Sequence, residues 1–121
     1  MTDTVVTWLQ GFSVDCLRWQ EGWAVFPQGE RLLSQSTDIL GNVKRRKRLS
    51  FLIRRNCLQP QPGDMEAFAR WAEDTAPVLG ENQVVRLEDA RLEHKSKEDM
   101  HRHKAMLIFE FTERFSRGEA D

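Results

Sequence analysis

Between Gly41 and Asn56 the chain reads GNVKRRKRLSFLIRRN, with seven Lys or Arg residues and no acidic one. Such residues can hold phosphate. Each cation that meets a nucleic-acid phosphate releases condensed counterions, so a basic run can bind DNA without reading its sequence. The same cations can instead register against an acidic protein surface. Lys44, Arg45, Arg46, Lys47, Arg48, Arg54 and Arg55 are therefore the candidate interface residues. They carry +7, which leaves −8 on the rest of a chain whose net charge is −1. No helix-turn-helix or zinc-finger pattern accompanies them. An acidic protein partner is accordingly favoured over DNA, and any DNA contact would be unspecific.

His94, His101 and His103 are the next residues with ligand chemistry. At i, i+2 on a strand, His101 and His103 would point the same way, and His94 could face them across a hairpin. Zinc needs three or four ligands in tetrahedral array with a supporting second shell. The neighbours of these histidines are Lys, Arg and Glu, so a polar hairpin surface is the preferred reading and no metal or cofactor is expected. Cys16 and Cys57 are the only cysteines and have no CxxC spacing. They read as reduced, partly buried thiols and not as a disulfide. Adjacent acids such as Glu73–Asp74 and Glu88–Asp89 point apart, and neither a GxSxG, a Walker loop nor an HExxH is present. The chain is not expected to be an enzyme.

These residues need elements to position them. Residues 4–12, TVVTWLQGF, fit a short helix or a strand closed by Gly11. A strand over about 23–34 is interrupted by Pro27 and Gly29, which places it at an edge, a bulge or a bend. Asp38, Gly41 and Asn42 supply turn chemistry, and a strand over 43–56 follows. In that strand Leu49, Phe51 and Ile53 share a face with Arg45 and Lys47, while Arg46, Arg48, Ser50, Leu52 and Arg54 share the other. Its apolar half roots it in a core, and its basic half is expected to project beyond that core.

After QPQPG, Asp64 is expected to cap a helix in which Met65, Phe68, Ala69, Ala72 and Ala76 recur at helical spacing, with Trp71 beside Phe68. Pro77 and Gly80 end it. A long polar strand through Val85 and Leu87, bulged near Glu88 to Ala90, leads to a turn at KSKED. The closing strand alternates Ala105, Leu107, Phe109 and Phe111 against Met106, Ile108, Glu110 and Thr112. The predicted core is Leu49, Phe51, Ile53, Phe68, Trp71, Leu107, Phe109 and Phe111. Trp8, Trp19 and Trp23 read as packing residues, with an aromatic interface as the competing use. The order predicts an α+β domain: an antiparallel sheet of about four strands with one main helix on it and a short N-terminal helix.

At 121 residues, 40% hydrophobic and 31% charged, the chain suits a single globular domain over 1–121, with 116–121 expected to be disordered. No apolar run approaches the roughly 20 residues of a membrane span. No signal peptide is visible, so synthesis in the cytosol is expected.

Four pieces of this sequence together resemble the small tail proteins of long-tailed phages, of the tail terminator, minor capsid or head–tail connector type. They are TWLQGF, the basic strand GNVKRRKRLSFLIRRN, the helix EAFARWAEDTAPVLGEN and the closing MHRHKAMLIFEFTER, spread over roughly residues 7–114. The shared signatures are a Trp on the helix, a Pro and Leu after it and a final aromatic strand. The resemblance implies a virion structural protein, assembled in the host cytoplasm, that forms a ring. That ring is commonly a hexamer, terminates the tail tube and joins it to the head connector. Its implied partners are further copies of itself, the tail tube protein and the connector protein. The departure is the intensity of the basic run. Facing a DNA-conducting lumen it would grip phosphate and hinder passage, so it is expected to face protein or the outer rim. A small nucleic-acid-binding module using strand 44–55 is the alternative.

Overall fold

The computed structural model describes residues 2–12, 19–94 and 100–116. Cys16, the side chain of Trp19, the KSKED turn and nearly all of the tail expected to be disordered lie outside the described residues. Two helices and four strands follow in the order α1 (Thr2–Leu9), β1 (Trp19–Thr37), β2 (Val43–Leu58), α2 (Asp64–Thr75), β3 (Glu81–His94) and β4 (Met100–Phe115). The strands form one antiparallel sheet in the order β1-β2-β4-β3. The fold is α+β, with the helices on one face of the sheet.

Local chemistry accounts for each boundary. In α1, Val5 and Leu9 sit one helical turn apart and are fully buried, and Phe12 follows them inward. In α2, Phe68 and Ala72 do the same, and Ala76 leaves the helix (φ −57°, ψ 141°) because Pro77 disfavours helical backbone before it. Asp64 is not the cap expected of it. Gly63 occupies the N-cap at φ 87°, where glycine has no Cβ penalty, and Asp64 is the first helical residue. Its carboxylate instead accepts the Gln61 N–H at 2.8 Å and closes the loop entering the helix.

β1 lies at the sheet edge, the position Pro27 requires, and its register shifts at Pro27/Gly29 as well as at two other points. In the β1–β2 turn the Asp38 carboxylate accepts from the backbone N–H groups of Leu40 (2.8 Å) and Asn42 (3.0 Å), with Gly41 at φ 88°. These bonds, the one from the Asn42 N–H first, hold the Asp38 carboxyl below its ordinary pKa. β3 shifts register twice, between Glu81 and Val84 and between Glu88 and Arg91, the second with Asp89 at φ 54° at the position expected to bulge.

The core lies between the helices and the covered sheet face. Leu49, Phe51 and Ile53 of β2 meet Leu107, Phe109 and Phe111 of β4 there, with Phe68 from α2. Trp71 is only partly buried and packs against this cluster. It stacks on Trp8 (centroids 5.1 Å apart, 5° between planes), and Trp23 packs on Phe68 at 4.5 Å. The described tryptophans Trp8, Trp23 and Trp71 therefore serve internal packing, joining the two helices and β1 through aromatic faces.

Candidate functional site

The seven basic residues divide between the two faces of β2. On the helix side, Lys47 reaches both neighbouring strands, with its Nζ 2.7 Å from Glu30 and 2.7 Å from Glu113. The hydrogen bond to Glu113, then that to Glu30, raises the Lys47 pKa above its ordinary value. Arg45 donates to Gln35 Oε1 at 2.9 Å and covers the Phe115 ring. Arg55 donates to the Phe12 carbonyl at 3.0 Å, tying β2 to the end of α1. The basic half of β2 lies beyond the buried Leu49–Ile53 stretch, yet it does not leave the sheet. It is paired with β1 on one side and β4 on the other from Val43 onward.

No helix among the described residues lies on the opposite face. Arg46, Arg48 and Arg54 of β2 lie there beside Lys104, Ile108 and Glu110 of β4 and Arg86 of β3. Arg46 donates to Thr112 Oγ1 and to the Asn82 carbonyl. Arg54 lies 4.6 Å over the Phe26 ring, and Phe26 remains 39% exposed. Ile108 is buried although no element among the described residues covers this face, so the long stems of its basic neighbours shield it.

Glu110 is the acidic centre, bonded to Arg86 and 3.6 Å from Arg48. The cross-strand register also opposes like charges on this face: Arg31 with Arg48, Lys44 with Arg114, and Arg54 with Lys104. Like charges directly opposite one another are destabilising. The chain supplies partial relief through Glu110, through Glu81 to Arg114 and through Glu93 to Lys104.

The Glu110 carboxyl is held below its ordinary pKa, chiefly by the Arg86 hydrogen bond. A depressed carboxyl contributes stability above its unfolded pKa of about 4.3 and loses it as pH falls through the folded value. Glu110→Gln should therefore lower stability by about 1 kcal/mol at pH 7, given the partial exposure of its arginine partners. Urea unfolding from pH 7 downward should show the gap between wild type and variant closing below about pH 4. A gap independent of pH would mean that shape, and not charge, matters at this position.

A second cluster lies on the helix side at the far end of β2. Cys57, Asp64 and His103 are all buried, and one donor atom from each lies within 4.8 Å of the others. His103 Nε2 stands 3.6 Å from Asp64 Oδ2. The loop from β2 to α2 makes this meeting by returning Asp64 over β4. His101 and His103 do share one face, and His94 pairs with His101 across the hairpin, with ring centroids 4.8 Å apart. Reading all three histidines as polar surface fails for His103, because the first turn of α2 covers it. Spacing could not reveal Cys57 and Asp64 as its neighbours, since the three residues lie on three different elements.

No helix among the described residues is long and apolar enough to cross a membrane. No protein-family model matches the chain, and no curated protein or solved structure matches it.

Proposed function

We propose that the protein is a self-assembling structural subunit of the phage tail-terminator kind its sequence resembles. It would work as a ring that closes the tail tube and meets the head connector. The observation that carries this reading is the uncovered sheet face, where Arg31–Arg48, Lys44–Arg114 and Arg54–Lys104 oppose like charges. That arrangement costs the isolated subunit stability and is relieved when acidic groups arrive from outside. The chain carries such groups on its other side. The exposed surface of α2 bears Glu66, Glu73 and Asp74, with Arg70 the one basic residue of the helix. The basic sheet face of one copy against the acidic helix of the next is a heterologous contact, the kind that closes into a ring.

Light scattering across a concentration series tests this. Wild type should form a discrete oligomer of about six copies, weakened by salt as exposed charge pairs are. Arg54→Glu with Lys104→Glu should leave a folded monomer, and mixing it with Glu73→Lys, Asp74→Lys protein should restore association. A wild type that stays monomeric at high concentration, alone and with tube or connector protein, would sink the reading.

The same arginine rows give the nucleic-acid alternative its one supporting observation, since phosphates would also relieve them. Arg46 and Arg48 are already engaged by Thr112 and Glu110, which favours protein. DNA binding whose log K falls with log salt by a slope worth several phosphates would reverse that preference.

A further inference from the structure

We infer that Cys57, Asp64 and His103 form a binding site for a zinc-class divalent ion. The three side chains come from the end of β2, the first residue of α2 and β4, so one ion would join three elements at a single point. The donor types are the first argument. Thiolate with imidazole selects zinc-like ions over magnesium or calcium, which want oxygen alone. Three protein ligands with a fourth position for water is the usual form of an open zinc site.

Geometry is the second argument. Zinc–ligand bonds of about 2.0–2.3 Å put tetrahedral donors roughly 3.5 Å apart. His103 Nε2 and Asp64 Oδ2 already stand 3.6 Å apart, and the full set falls within 4.8 Å. The gap left to close in the widest pair is therefore about 1 Å. Access is the third. A groove of about 240 Å³ reaches two of the three ligands, Asp64 and His103, with Glu66 and Arg91 also on its wall, and Cys57 lies behind them. The groove has room for a water in the fourth position.

Burial also argues against reading the same trio as a nucleophilic Cys–His–Asp set. Cys57 has no exposed surface, and its thiol donates to the Leu58 carbonyl at 3.5 Å. Cys57 does not line the groove, so a substrate entering there would not meet its thiol, whereas an ion held by Asp64 and His103 lies within reach of the thiolate. The ion would pin the first turn of α2 to β2 and β4, so its binding energy would appear as folding stability. The three donors must lose their protons to bind, so affinity should fall in acid.

Cobalt(II) alone is the probe, added to the purified full-length protein. The expected result is one ion per chain, with intense visible bands of tetrahedral cobalt and a near-ultraviolet thiolate charge-transfer band that Zn2+ abolishes. Cys57→Ser should lose the charge-transfer band, and His103→Gln should weaken cobalt binding at least about tenfold. Thermal unfolding of wild type, which needs no variant, should shift upward by roughly 10 °C when free Zn2+ is a hundredfold above its Kd. No cobalt spectrum and no thermal shift would overturn the site and leave a structural Asp64–His103 clamp. A charge-transfer band that survives in Cys57→Ser but is lost in Cys16→Ser would also overturn it. So would cobalt binding that depends on His94 and His101 but not on His103.

Discussion

Truncating Phe109 to alanine should lower the unfolding free energy by about 3–5 kcal/mol, the largest effect expected of any single substitution in the sheet. Phe109 has no exposed surface and sits mid-strand in β4, between Leu49 of β2 and Val85 of β3. Its ring meets Phe51 edge-on at 6.0 Å and Trp8 edge-on at 5.9 Å. Removing it deletes apolar contact with the sheet and also the ring on which the stacked Trp8–Trp71 pair rests. The resulting cavity is bordered by strands on both sides, which can collapse only slightly, so the cost falls toward the upper part of the range.

A domain of ordinary stability has roughly 5–15 kcal/mol in total, so Phe109→Ala should leave a marginal fold. Phe109→Leu should retain more than half of the lost stability, because it keeps most of the volume. Urea denaturation read by tryptophan fluorescence checks both, with the midpoint falling and the slope unchanged. A loss below about 1 kcal/mol for the alanine variant would mean that the Trp8–Trp71 and Trp23–Phe68 contacts hold the helices without this ring.

The ease of reading Phe109 from sequence shows what kind of information the chain carries locally. Alternation through Leu107, Phe109 and Phe111 and the four-residue step from Phe68 to Ala72 are short-range patterns. Each specifies an element and its buried side without reference to distant residues. Pro27 likewise announces an edge because a missing N–H can be tolerated only there or at a bulge. The α+β class and the four-stranded antiparallel sheet were legible for the same reason.

What spacing could not supply was registration between distant segments. Lys47 reads as a projecting cation until β1 and β4 bring Glu30 and Glu113 to it from 17 residues before and 66 residues after. His103 reads as a solvated hairpin residue until α2 lowers Asp64 over it. Asp64 itself looks like a helix cap because that role is local, whereas its actual burial depends on which strand the helix crosses. The like-charge rows of the open face are also products of register. Arg54 and Lys104 are 50 residues apart and oppose each other only because β2 and β4 pair as they do.

Gly80→Ala should be nearly as damaging as a core truncation, though it adds an atom where Phe109→Ala removes several. A Cβ at Gly80 would lie 2.5 Å from Phe111 Cδ2 and 2.7 Å from the Thr112 carbonyl oxygen. Both distances are inside van der Waals contact, and one of the two obstacles is backbone in a paired strand. Overpacking of this kind costs about 1–3 kcal/mol, and more where the neighbour cannot move. The residue leads β3 into its pairing with β4, which begins at Glu81 opposite Thr112.

Gly29→Ala is the informative control. Its Cβ would meet nothing within 4 Å, and it carries only the strain of φ +115° on an edge strand. Thermal unfolding should therefore rank Gly80→Ala well below Gly29→Ala in stability. A double-mutant cycle then identifies the obstacle. If the Phe111 ring is what yields, Phe111→Leu should cost less in the Gly80→Ala background than alone, with a coupling of about 0.5–3 kcal/mol. Strict additivity would instead assign the clash to the Thr112 carbonyl. It would then follow that β3 is spaced from β4 at this point by backbone contact, and that only glycine lets the two strands approach.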